Sequence, residues 1–165
     1  MKFQHQFMLL LVSALAFNVP AFADGAAPAS APASAYVKPH MTHGQYGDMN
    51  VVVPLTNEMV LPMKLRNIAN SLKVMDTWGG KLNVKVVMYA KGLAWLKTPT
   101  DDQKVQLDNL RSHGVQFMVC NNSLMELGID YHTLYGVKES DIVPSGLAEV
   151  AFLQARKHYV VDPSM

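Results

Sequence analysis

Cys120 is the only cysteine of this 165-residue chain. It ends the apolar segment VQFMVC (residues 115–120), which predicts a buried strand, and the polar NNS after it predicts a helix start. Backbone N–H groups and the positive end of the dipole at a helix start favour thiolate over thiol. We therefore expect a reactive thiol at this position. The alternative is an inert cysteine that packs as a small apolar side chain.

A Cys/His hydrolase is a rival interpretation of the same residue. His113 precedes the strand that Cys120 ends, so it lies at the opposite edge, about five residues at 3.3 Å each away, and it cannot be the base. His132 remains a candidate base, although a histidine on a turn is more often a surface residue. Lys91 follows the preceding predicted strand and would favour the thiolate from the same edge, although a solvated lysine is the simpler interpretation.

The elements that position these residues alternate between strand and helix. Such alternation predicts an α/β fold with a mostly parallel five-stranded sheet and right-handed crossovers. The predicted strands are residues 50–55, 83–90, 115–120, 141–143 and 159–161. The predicted helices include residues 93–96, 101–113, 121–127 and 147–157, and a longer one that ends at Gly79-Gly80. In the helix of residues 101–113, we expect Val105, Leu107 and Leu110 in the core.

The first 23 residues have the three parts of a secretory signal peptide. Lys2 supplies the positive charge, residues 7–17 are almost wholly apolar, and Ala21-Phe22-Ala23 is a small-x-small cleavage site. The apolar core is shorter than the roughly 20 residues of a membrane span. We therefore expect cleavage after Ala23, a periplasmic or secreted product, and no membrane association.

Residues 24–48 follow as a tether and lead-in. Their first part is rich in Ala, Pro and Ser and cannot bury enough surface to fold, so we expect disorder. His40, Met41 and His43 lie close together in the lead-in, and imidazole and thioether groups are copper ligands. The alternative is an irregular polar segment without metal, which we favour because a metal site needs a scaffold. The folded domain is expected at residues 49–165.

Charge and cysteine content exclude several kinds of partner. Removal of Lys2 with the signal peptide leaves 13 basic and 13 acidic residues, and there is no basic stripe. Nucleic acid and anionic membranes are therefore not expected partners. A lone cysteine in an exported protein forms no internal disulfide, which leaves a mixed disulfide, a modified thiol, a metal bond or a buried inert group. No cofactor is indicated.

Two segments resemble a known family. GVQFMVCNNSL (residues 114–124) and VPSGLAEV (residues 143–150) are similar to the DsrE/DsrF-like family, which includes TusD-like sulfur-relay proteins. The resemblance covers residues 49–163. It implies a three-layer α/β/α sandwich assembled as a trimer or hexamer. It also implies that Cys120 accepts sulfane sulfur as a persulfide and passes it to a partner protein.

The resemblance also indicates which neighbours shape the pocket. Asn121, Ser145 and Gly146 are carried over in that role. Sulfur transfer needs hydrogen-bond donors beside the thiolate, which the N–H groups of Asn122 and Ser123 would supply. Gly146 allows close backbone approach, whereas Ser145 is equally explained as the cap of the helix that follows.

This chain differs from the relay members of the family in its export signal and tether, because those members act in the cytoplasm. A second hypothesis is therefore a noncatalytic oligomeric binding or assembly module in which Cys120 is structural. Assembly is expected in either case. The short element of residues 93–96, which bears Trp95, is expected to pack against identical subunits.

Overall fold

The computed structural model describes residues 47–162. They form a five-stranded, all-parallel sheet in the order β4-β3-β2-β1-β5. The strands are β1 Met49–Leu55, β2 Leu82–Met88, β3 Gln116–Cys120, β4 Ile142–Val143 and β5 Val160–Val161. The α-helices are α1 Leu61–Trp78, α2 Ala94–Lys97, α3 Asp101–Ser112, α4 Asn121–Leu127 and α5 Gly146–Lys157. Helices flank the sheet, and the expected three-layer α/β sandwich is confirmed.

The two faces of the sheet are covered unequally. The larger core lies on the face that α1 to α4 cover, with buried residues from each helix such as Leu65, Leu96, Leu107 and Leu124. The other face is covered by α5, whose Val150 and Leu153 pack on Val52 and Val87. The segments after β3 and β4 therefore lead to helices on opposite faces of the sheet. Open α/β sheets bind their ligands at the carboxyl ends of strands whose connections diverge in this way.

Local sequence explains where the longer helices begin and end. Pro62 stands in the first turn of α1, where its missing N–H costs little, and Gly79 ends the helix at φ +70°. Thr100 and Gln103 form a capping box at the start of α3, and Asp101 lies at the positive end of its dipole. These local signals set both ends of α1 and the start of α3.

Two expectations about the elements are wrong. Val105 is 68% exposed, because it lies two residues from Leu107 and therefore on the opposite side of the helix. Strand β2 ends at Met88 and does not extend to Ala90, which has a left-handed backbone at φ +50°. In the short element with Trp95, Leu93 and Leu96 are buried and Trp95 is partly buried against the chain's own core, and the expected packing of this element against identical subunits stays a prediction.

The remaining domain boundaries stay predictions. The signal peptide of residues 1–23, nearly all of the tether of residues 24–48, and the cluster of His40, Met41 and His43 lie outside the described residues. In the part of the chain that the structure describes, no helix is both long and apolar enough to cross a membrane.

Candidate functional site

Cys120 lies at the junction between strand β3 and helix α4. It is the last residue of β3 and also the N-cap of α4, so no loop separates the two elements. Strand alternation places its side chain opposite Val119, which faces the larger core. Cys120 is 4% exposed. The thiol is therefore largely enclosed at the carboxyl edge of the sheet.

Four polar groups near Cys120 lower the pKa of its thiol, although its side chain makes no capping hydrogen bond to α4. They are the hydroxyl group of Ser123 and the backbone N–H groups of Ser123, Gly146 and Asn122. Burial raises the pKa of the Cys120 thiol, but the four donors together outweigh it and bring the pKa below its ordinary value. The side chain of Ser123 acts more strongly than any of the backbone groups. The site therefore favours a thiolate in spite of its burial.

The donors come from two helix starts. Asn122 and Ser123 lie in the first turn of α4, and Gly146 is the first residue of α5. Backbone N–H groups in a first helical turn have no partner within their own helix, so they are available to an anion. Because Cys120 of β3 pairs with Val143 of β4, both helix starts lie at the same edge of the sheet.

Two of the six residues expected at the site have their side chains occupied elsewhere. The hydroxyl group of Ser145 caps α5 and accepts the N–H of Ala148 at 3.5 Å, as its simpler interpretation predicted. The amide of Asn121 donates to the sulfur of Met125 at 3.9 Å. The structure thus brings Cys120, Asn122, Ser123 and Gly146 together, while Asn121 and Ser145 flank them.

Sequence reasoning missed two residues that complete the site, Tyr89 and Ala90, which directly follow β2. The Ala90 N–H donates to the Ser123 hydroxyl oxygen at 2.8 Å. The ring of Tyr89 packs against Gly146, where a Cβ atom would lie 2.8 Å from the ring's Cδ1. The sheet topology could have indicated these two residues, because β2 pairs with β3 and must end beside Cys120.

The rival hydrolase hypothesis gains no support from the described residues. His113 ends α3 at the opposite edge of the sheet, and its Nδ1 contacts the carbonyl oxygen of Asn109 at 2.7 Å. His132 is exposed, and its Nδ1 lies 2.7 Å from a carboxylate oxygen of Asp130. Lys91 is exposed and is not among the groups that lower the pKa of Cys120.

A metal centre is likewise not visible in residues 47–162. Within this range no three His, Cys, Asp or Glu side chains are grouped so as to hold an ion. The copper hypothesis rests on His40, Met41 and His43, which lie outside the range.

Comparison with known proteins agrees with the architecture. A family model described as "DsrE/DsrF-like family" matches residues 55–163. Among solved structures, the chain is similar to the protein of unknown function MTH1491 from Methanobacterium thermoautotrophicum. The two share 20% sequence identity with a TM-score of 0.56, over 70% of this chain and 97% of that one. No curated protein matches the chain.

Proposed function

This chain belongs to the DsrE/DsrF-like family, and on that basis we propose that it carries sulfane sulfur as a persulfide on Cys120. The family supports a role related to sulfur relay. The observation that carries the finer proposal is the place of Cys120 at the end of β3 and the start of α4, next to the β4 strand that leads into α5, where polar neighbours lower the pKa of its thiol in spite of burial. A thiolate is the form of cysteine that reacts with sulfane sulfur.

The proposed loading step is an exchange between two sulfur atoms. The Cys120 thiolate attacks the outer sulfur of a donor persulfide, R–S–SH. A bond forms between Sγ and that outer sulfur while the donor's S–S bond breaks, and the donor leaves as the thiolate R–S⁻. The proton stays on the transferred sulfur until water removes it. No oxidant or reductant is consumed.

Onward transfer reverses these roles. A thiolate of the acceptor attacks the outer sulfur, the Sγ–S bond breaks, and Cys120 leaves as a thiolate. The same four donors stabilise the negative charge in the resting thiolate and on the leaving group. One arrangement therefore serves both steps.

A second candidate is the noncatalytic module with a structural cysteine. The observation in its favour is the 4% exposure of Cys120, which restricts the approach of another thiol. Against it, a purely structural cysteine has no need of four polar donors in place of apolar neighbours. Residues at the rim of the site, Ala90 and Asn122, are exposed and mark the side from which a donor would enter.

The test is sulfur loading of the folded protein. Purified protein is treated with glutathione persulfide and analysed by intact mass and by peptide mapping. We expect the mass of one added sulfur atom on the peptide with Cys120, and its loss after reduction. Cys120→Ser should fold and gain no sulfur. A native wild-type protein that gains sulfur only after denaturation would instead support the structural module.

We also propose that the protein is exported and that it self-associates. Export is supported by the signal-peptide pattern of residues 1–23, and the expected mature protein begins at Asp24. Assembly as a trimer or hexamer is supported by the family and by Leu147 and Phe152, two large apolar residues exposed on α5. N-terminal sequencing of the exported protein and sedimentation of the mature chain test these two points.

A further inference from the structure

The segments that follow β1, β2, β3 and β4 form one continuous surface at the carboxyl edge of the sheet. The Tyr89 N–H donates to the Leu55 carbonyl oxygen at 3.0 Å, and the Ala90 N–H donates to the Ser123 hydroxyl oxygen at 2.8 Å. The Tyr89 ring also packs on Gly146, where a Cβ atom would lie 2.8 Å from its Cδ1. We call this surface the carboxyl rim, and it comprises residues 56–60, 89–93, 121–127 and 144–149.

Large apolar side chains of the carboxyl rim are exposed to solvent. Met59 is 82% exposed, Met125 is 66% exposed and Leu147 is 68% exposed. Met125 and Leu147 belong to α4 and α5, which cover opposite faces of the sheet, so exposed apolar groups lie on both faces at the end where Cys120 stands. Grouped apolar side chains of this kind mark surfaces that bind other proteins, and the flexible side chain of methionine adapts to different partners.

A glutamate stands within two residues of each of these apolar side chains. The three glutamates are Glu58, Glu126 and Glu149. In residues 47–162 none of them pairs with a basic side chain. Lys91 is the one basic residue among the described residues of the carboxyl rim. The carboxyl rim is therefore acidic, whereas the expected mature chain as a whole has equal numbers of basic and acidic residues.

We propose that the carboxyl rim is the docking surface for a partner protein that exchanges sulfur with Cys120 and whose own reactive cysteine stands among basic and apolar side chains. This inference rests on the proposed persulfide function. Opposite charge steers the partner to the carboxyl rim and fixes its orientation, and the exposed apolar side chains supply the buried contact. The carboxyl rim takes part in no covalent step, because sulfur passes only between Cys120 and the partner's sulfur atom.

Binding is measured first, with two synthetic peptides that differ only in charge. Each is fluorescently labelled, has serine in place of the reactive cysteine and leucine beside it, and carries either several lysines or several glutamates. Fluorescence anisotropy with wild-type protein should show the basic peptide binding about tenfold or more tightly than the acidic one, with a difference that shrinks as salt is added. Equal binding of the two peptides would contradict the inference.

Charge variants test whether the carboxyl rim is the surface that discriminates. Glu58→Gln/Glu126→Gln should bring the affinities of the two peptides close together. The matched control is Asp76→Asn/Glu139→Gln, which changes the net charge equally but near the opposite edge of the sheet, at the end of α1 and before β4. The control should keep the wild-type preference. A control that lost the preference as completely would show that net charge, and not the carboxyl rim, selects the peptide.

The apolar contribution is tested with Met59→Ser/Met125→Ser. Both side chains are exposed, so the variant should fold, and it should bind the basic peptide about tenfold or more weakly because apolar contact is lost. Sedimentation of the same variant should show the oligomeric state of wild type. A wild-type oligomer that became a monomer in this variant would identify the carboxyl rim as a contact between copies of this chain, and would overturn the docking inference.

Sulfur transfer separates this inference from the proposed function. The two peptides are remade with cysteine, loaded as persulfides and compared with glutathione persulfide as donors to Cys120. The basic peptide should load wild type faster than the acidic one, and Glu58→Gln/Glu126→Gln should remove its advantage. Loading by glutathione persulfide without any advantage of the basic peptide overturns the docking inference and leaves the persulfide function standing. If no donor loads Cys120, the persulfide function is overturned, even if the basic peptide binds to the carboxyl rim.

Discussion

The Cys120 edge and the groove beside β5 both bury an ionisable group, but they stabilise it by different means. At Cys120, all the groups that lower the thiol pKa are neutral donors, namely one hydroxyl group and three backbone N–H groups. In the groove, Lys64 is 2% exposed and its Nζ lies 2.6 Å from a carboxylate oxygen of Asp162. Neutral donors stabilise a charge without a counterion, whereas an ion pair places an opposite charge directly beside it. The first arrangement suits chemistry and the second suits structure.

The groove beside β5 differs from the Cys120 edge in that it is a large apolar cavity. The groove between α1 and the β1–β5 edge has a volume of about 630 Å³ and is lined largely by apolar side chains such as Val51, Val74 and Trp78. The Cys120 edge instead places several polar groups beside one thiol. For the proposed transfer of a single sulfur atom, polar groups beside the thiol matter more than the volume of a cavity.

The largest effect that separates the two regions should come from Lys64→Ala. The substitution removes a side chain that is only 2% exposed together with its contact to Asp162, so we expect a loss of about 3 kcal/mol in the free energy of unfolding. The thiol pKa of Cys120 should stay lowered, because β1 and β2 separate β5 from β3. Urea denaturation and pH-dependent alkylation measure the two quantities.

Lys104→Ala is the matched control for Lys64→Ala. Lys104 is 39% exposed and binds the exposed Asp101 at 2.8 Å, so breaking this solvent-screened pair should change the free energy of unfolding far less than Lys64→Ala does. If Lys64→Ala were no more destabilising than Lys104→Ala, the groove pair would not be structural. If it also raised the thiol pKa, the two regions would not be independent.

A smaller effect, confined to the Cys120 edge, is expected from Gly146→Ala. The added Cβ would lie 2.8 to 3.0 Å from three atoms of Tyr89, so the start of α5 or the ring must move. Overpacking of this kind costs about 2 kcal/mol in the free energy of unfolding. Displacement of the Gly146 N–H should also raise the thiol pKa, since that group is one of its donors.

The double variant Tyr89→Ala/Gly146→Ala tests the cause of this effect. Removal of the ring leaves space for the new methyl group, so the cost of Gly146→Ala should shrink in the Tyr89→Ala background. Equal costs in both backgrounds would show that the contact with Tyr89 is not what requires glycine at position 146.

Much of the Cys120 edge could be predicted from the sequence. The segment VQFMVC followed by NNS places the cysteine at the end of a strand and the start of a helix, and the helix of residues 121–127 has the predicted bounds. Gly146 was expected at the site because glycine allows close approach, and its N–H is among the groups that lower the pKa of the Cys120 thiol. Local sequence was sufficient to predict these features because each of them depends on residues that are neighbours in the chain.

The parts that could not be predicted depend on contacts between distant residues. The left-handed backbone of Ala90 has no signal in its residue type, because alanine rarely adopts positive φ. The pairing of Lys64 with Asp162 joins residues 98 positions apart. A lysine within the helical pattern of α1 gives no indication that it is buried. Both features arise only when the sheet brings these segments together.

The smallest effect concerns pH, and its sign distinguishes a reactive cysteine from a structural one. The folded protein has a lowered thiol pKa, so ionisation of Cys120 favours the folded state. The stability of wild type relative to Cys120→Ser should therefore rise as the pH increases through the folded pKa. It should reach its full value above the unfolded pKa of about 8.5, and be lost as the pH falls through the folded pKa.

Urea denaturation of both proteins between about pH 6 and pH 10 measures the difference, in which other titrating groups cancel. A buried cysteine without effective donors would have a raised pKa, and the difference would fall with increasing pH. A falling curve would therefore contradict both the lowered pKa and the proposed sulfur chemistry.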